Sequence, residues 1–163
     1  MRTPNAIATL IAVTSLLMTV ACTGQSPTPP EGANDESGHA MTVYHDPQCG
    51  CCGKWVEHMQ ANGFEVEAIP TGDMNRVKRE LGVPQELPSC HTATVGDYVI
   101  EGHVPAEDVQ RLLAEQPDAR GLSVPGMPLG SPGMEVDHRR MAYDVILFGE
   151  GETEVFNHYP EIE

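Results

Sequence analysis

The chain has 163 residues, and its 24 acidic side chains outnumber 9 lysines and arginines, for a formal net charge of −15. That balance excludes a nucleic-acid binder and disfavours contact with anionic lipid headgroups. It suits a domain that attracts cations, in a chain long enough for one domain with a core of its own.

Arg2 is the only charge before residue 31, and the apolar run AIATLIAVTSLLMTVA follows it. This run has the length of a signal-peptide core and is short for a membrane span. Ala21 and Cys22 come next, then a polar stretch, as at the processing site of a bacterial lipoprotein. The expected organisation is a signal peptide over residues 1–21, with Cys22 lipidated, and a disordered linker over 22–40. A folded domain over 41–163 completes it. An ordinary secretory signal is the alternative, and it exports the chain equally. The linker is Ser, Thr, Pro, Gly and acid, which cannot bury enough apolar surface to order itself. Loss of residues 1–21 removes Arg2 and no acid, so the exported form is more acidic still.

Within the domain, MTVYH reads as a strand that the following Asp-Pro ends. GKWVEHMQANG reads as a helix with Trp55, Val56 and Met59 on one face. FEVEAI alternates as a strand with one wet face, which accounts for Glu65 and Glu67. DMNRVKRELG is a second helix, with Asp73 as N-cap and Met74, Val77 and Leu81 as its buried stripe. A loop broken by Pro84 and Pro88 leads to TATVGDYVIEG, a hairpin turning at Gly96-Asp97. VPAEDVQRLLAEQ is a third helix opened by Pro105, with Val109, Leu112 and Leu113 facing inward. The first two strands should lie parallel through a right-handed crossover. The expected fold is α/β and thioredoxin-like, in the order βαβ-α-ββα. A Met/Gly/Pro-rich loop, RGLSVPGMPLGSPGMEV, follows it. YDVILF and TEVF then form an extra hairpin around GEGE.

The chemistry concentrates in HDPQCGCCGKW. Cys49, Cys51 and Cys52 lie between the first strand and the first helix, and Cys90 follows in LPSCHTAT. A stapling framework spreads its cysteines, whereas three of these four are bunched. Cys49 and Cys52 form a C-x-x-C pair where a thiol–disulfide oxidoreductase carries one. Unpaired helix N–H groups would favour the Cys49 thiolate as nucleophile, with Cys52 resolving. Cys51 has no part in that exchange. In this fold the Cys90 loop should lie against the C-x-x-C turn, gathering four sulfurs and the His91 imidazole. Soft sulfur ligands select Cu(I), Zn or iron–sulfur clusters. Adjacent Cys51 and Cys52 fit a zinc tetrahedron poorly. Cu(I) accepts two or three ligands and tolerates bridging thiolates, so the cluster suits Cu(I) and more than one ion. Met127 and Met134 add thioethers. A structural zinc domain, unfolded by chelators, is a third reading. No Ser-His-Asp or paired-carboxylate arrangement supports hydrolysis.

The chained motifs YHDPQCGCCGKW, SCHT, EGHVP and GLSVPGMPLGSPGME resemble the CopG family of bacterial copper-resistance proteins, over roughly residues 41–156. The resemblance implies an exported, thioredoxin-like copper-binding domain. It maps the family's cysteines onto Cys49, Cys51 and Cys52, its Cys-His onto Cys90 and His91, and its Gly-His onto His103. The candidate metal set is therefore Cys49, Cys51, Cys52, Cys90, His91, His103, Met127 and Met134. The expected role is copper resistance by sequestration, transfer or redox conversion of copper, with an efflux or chaperone protein as partner. The membrane would be met only through the lipid anchor, and nucleic acid not at all. His58 reads as solvated, strand alternation leaves His45 undecided, and His39, His138 and His158 have no motif around them.

Overall fold

The computed structural model describes residues 39–163; the signal segment, Cys22 and the linker as far as residue 38 lie outside them. The elements run β1 (Ala40–His45), α1 (Gly50–Ala61), β2 (Glu65–Pro70), α2 (Met74–Leu81), β3 (His91–Val95) and β4 (Tyr98–Gly102). They continue with α3 (Ala106–Glu115), β5 (Gly121–Val124), β6 (Tyr143–Phe148) and β7 (Thr153–Tyr159). The strands form one mixed sheet in the order β2-β1-β3-β4-β5-β6-β7. β1 and β2 are parallel across α1, β3 is antiparallel to β1, and β4 is antiparallel to β3. The α/β order read from the sequence is present, and the hairpin turns at Gly96 and Asp97.

Helix α1 starts at Gly50 rather than at Gly53, with Cys49 as its N-cap residue. Cys51 and Cys52 thus belong to its first turn. The Asp46 side chain accepts from Gln48 N–H at 2.7 Å, and its carbonyl accepts from Cys49 N–H at 3.0 Å. This turn delivers the chain from β1 into the helix. Cys52, Trp55 and Met59 are wholly buried, and the Trp55 Nε1–H donates to the Val104 carbonyl at 2.8 Å. On α2, Asp73 caps by accepting from Arg76 N–H at 3.0 Å. Its buried stripe is narrower than expected, since only Val77 is buried and Met74 and Leu81 are half-covered.

The Met/Gly/Pro-rich loop is corrected at its start. Residues 121–124 are a strand, β5, paired parallel to β4 through α3. All four of its residues are buried, so it shows no alternation to distinguish it from a loop. The expected hairpin is present as β6 and β7, with a register shift between Val145 and Ile146. The main core gathers Met41, Val43, Trp55, Met59, Ile100 and Leu122 among others. A smaller cluster of Val83, Val99 and Phe148 packs with Leu81 at the end of α2.

Candidate metal centre

Three segments converge at the start of α1. The first is its opening turn with Cys49, Cys51 and Cys52. The second is the loop that ends at Cys90 and enters β3 at His91. The third is the end of β4, which His103 follows directly. The Cys51 sulfur lies 3.4 Å from that of Cys49 and 4.0 Å from that of Cys90. The Cys52 sulfur lies 3.7 Å from that of Cys90. Cys90 Sγ is also 3.3 Å from His91 Nδ1 and 3.0 Å from His103 Nε2. Two groups of ligand atoms result, each within 4.8 Å across. One is the four cysteines, the other is Cys90 with His91 and His103, and Cys90 belongs to both. Cys49 and Cys52 are joined as a disulfide, while Cys51 and Cys90 are free thiols. The C-x-x-C pair and the third thiol are therefore chemically distinct in this form.

Each imidazole is prepared as a neutral donor. Burial lowers the pKa of His103, and burial together with the neighbouring His103 lowers that of His91 well below the ordinary value. His103 Nδ1–H donates to the Pro132 carbonyl at 2.8 Å, which fixes the tautomer and leaves Nε2 with a lone pair toward Cys90. His91 is wedged against the Trp55 ring at 4.4 Å and meets the His103 ring edge-on at 4.9 Å. Its Nε2 is buried without a hydrogen-bond partner among the described residues. A buried polar atom with no partner is costly, while the other ring nitrogen, Nδ1, is the one turned to the Cys90 sulfur. Burial, and then Cys51 beside it, push the Cys90 thiol up to about 12. A metal bound there must displace a proton. The donor set is sulfur and imidazole with no carboxylate in either group, which matches soft or borderline metals rather than calcium or magnesium.

A loop after β5 covers this centre. Ser131, Pro132 and Gly133 are buried in it. Gly133 lies so close to α1 that a Cβ there would come within 2.9 Å of both the Cys51 carbonyl oxygen and the Trp55 nitrogen. Met134 follows, half-buried, its N–H donating to the Ser131 carbonyl at 2.8 Å. Met127 follows Gly126, which bridges to Ser89 beside Cys90, and its side chain is 55 % exposed. The fold thus carries both methionine segments to the neighbourhood of the cluster, with Met127 at the surface.

Some residues had no legible signal. His45 pairs with His91 across β1 and β3, so both side chains leave the same face of the sheet. Its Nδ1–H donates to the Asp46 carbonyl at 3.0 Å. His58 is not solvated as expected: it is half-buried, and its Nε2 accepts from Ala106 N–H at 3.1 Å, capping α3. His39 lies beside Phe64, and His158 pairs with Asp144. Glu101 is wholly buried two residues before His103, where a strand reading of YVIEG gives no hint of it. An open groove at the β6–β7 turn, lined by Asp118, Arg120, Phe148, Glu150 and Glu152 among others, holds no cysteine or histidine.

A family model described as a protein of unknown function, DUF411, matches residues 87–134. No curated protein matches the chain. Two solved structures are similar to it. One, titled copper resistance protein copG, form 2, is 44 % identical, with a TM-score of 0.73, over 76 % of this chain and 99 % of that one. The other, form 1 under the same title, is 44 % identical, with a TM-score of 0.72, over 76 % of this chain and 98 % of that one.

Proposed function

The chain belongs to the CopG family of copper-resistance proteins, and from that premise we propose that it binds copper as Cu(I) at the clustered sulfurs. Cys49, Cys51, Cys52 and Cys90 supply thiolates, and His91 and His103 supply imidazole nitrogens. Met127 and Met134 add thioether sulfur at the entrance. The observation that carries this reading is the sharing of Cys90 between two compact groups of ligand atoms. A set of six donors joined through one sulfur suits more than one ion, because a thiolate can bridge two Cu(I) centres. The role in resistance is sequestration of copper, its transfer to an efflux or chaperone protein, or a change in its oxidation state. We further read the chain as exported and held to a membrane through lipid on Cys22, with the acidic domain facing the periplasm or cell envelope.

The Cys49–Cys52 disulfide favours one alternative, a thiol–disulfide oxidoreductase. The two readings are linked by stoichiometry. Reduction of the disulfide takes up two electrons and two protons and yields two thiols, which lose those protons on binding metal.

Anaerobic titration of the reduced protein with Cu(I), and separately with Zn(II), separates them. Thiolate-to-metal absorption and bound metal per chain are followed. The expected result is retention of more than one Cu(I) per chain against a competing chelator, with the stoichiometry reduced by Cys51→Ser. Failure to hold Cu(I) while Cys49 and Cys52 still cycle as a disulfide would leave the oxidoreductase. Unfolding on removal of zinc would leave the structural zinc domain.

A further inference from the structure

Glu101 is 0 % exposed on β4. A buried acidic side chain is costly unless it is paired and hydrogen-bonded, and the residues opposite it, Thr92 on β3 and Ser123 on β5, are buried and polar as well. Its carboxylate is fully engaged. One oxygen accepts from the Ser89 N–H at 2.5 Å and from the Lys78 ammonium, and the other accepts from the Thr92 hydroxyl at 2.7 Å. Lys78, itself only 11 % exposed, also donates to the Thr92 hydroxyl at 3.0 Å.

These partners bracket the ligand segment. Ser89 precedes Cys90, and Thr92 follows His91. One carboxylate therefore grips both sides of Cys90-His91, while its own strand leads to His103 two residues later. Ser89 has no place in a strand ladder; it makes only an isolated bridge to Gly126, to whose carbonyl its hydroxyl donates. Its N–H goes to Glu101 instead.

We propose that Glu101 is the positioning residue of the centre: by holding Ser89 and Thr92 on either side of Cys90 and His91, its buried carboxylate sets the separation between Cys90 and the cysteines of α1. This rests on the copper reading and extends it. A buried ion pair contributes little net stability compared with apolar residues of similar size. What the apolar replacement cannot supply is the acceptor for Ser89 N–H.

The test compares Glu101→Gln and the paired Lys78→Met/Glu101→Met with the unaltered full chain. The first readout needs no metal. In the reduced protein, iodoacetamide modification of Cys90 relative to Cys51 is timed by mass spectrometry. The paired variant is expected to raise that ratio several-fold, and Glu101→Gln, whose amide oxygen still accepts from the Ser89 N–H, to raise it less. The second readout is Cu(I) retention against a competing chelator, expected to weaken about 10- to 100-fold, as for other groups that orient metal ligands. In a Cys90→Ser background the paired substitution should add less than about twofold, because the residue it positions is gone. An unchanged modification ratio overturns the proposal. So does an equal copper loss with and without Cys90, or a paired variant that fails to fold, which would make the carboxylate a stability element. A parent chain that holds no Cu(I) defeats the copper reading alone, and the modification ratio still decides the positioning.

Discussion

Gly133→Ala tests whether the covering loop is seated on α1 by close backbone approach. Gly133 has φ +83°, in the left-handed region. An added methyl there meets two backbone atoms of α1 at 2.9 Å, the Cys51 carbonyl oxygen and the Trp55 nitrogen. Neither can rotate away, so the loop must shift. Gly63 supplies the control: its φ is +88°, and nothing lies within 4 Å of an added Cβ. The backbone cost of a left-handed alanine is about 1–2 kcal/mol and applies to both. At Gly133 the shift also strains the buried Pro132–His103 hydrogen bond of 2.8 Å, and leaving such a group unpaired costs about 1–3 kcal/mol. Gly133→Ala is therefore expected to cost about 2–5 kcal/mol in urea unfolding and Gly63→Ala about 1–2 kcal/mol, with unchanged slopes. Only Gly133→Ala should weaken copper retention, because only there does His103 lose its anchor. Equal costs for the two variants, with equal retention, would refute the seating of the loop.

Two further outcomes follow from named contacts. Burial holds the His58 pKa below its ordinary value of 6.5, against the opposing pull of Glu135 and Glu107. The unfolded chain thus binds this proton more readily, and stability is lost as pH falls below about 6.5. Urea midpoints between about pH 8 and pH 5 should fall less steeply with acid in His58→Gln; an unchanged slope would count against the role of His58 at the start of α3. Trp55 is the only tryptophan, and its ring packs on His91 at 4.4 Å. Its emission should change in step with Cu(I) added, up to the stoichiometric endpoint. Constant emission at full loading would put the metal away from His91.

The elements that depend on local pattern were legible in the chain. The β1, α1 and β4 segments carry their periodicity and turn residues within a dozen positions, and Asp73 announces the cap of α2. The cysteine cluster was legible as well, because three of its members share one turn and the fourth sits in a loop that the fold order returns to that turn. His91 and His103 came with their flanking motifs. What remained hidden depends on contacts between distant residues. Strand β5 is covered on both faces by segments that arrive from elsewhere, so its own residues show no alternation. The start of α1 at Gly50 follows from the turn held by Asp46, and the capping role of His58 exists only because α3 begins beside α1. Glu101 is the clearest case. Its sequence context is that of an ordinary strand end, and an acid there reads as solvent-facing. Only the packing of α2, the Ser89 loop and β3 around it supplies three donors to one buried carboxylate. The sequence determined which cysteines and histidines are available to the cluster, since that is a matter of residue type and short spacing. The tertiary structure decided how far apart they are held, because that distance is set by the side chains that fold over them from the far ends of the domain.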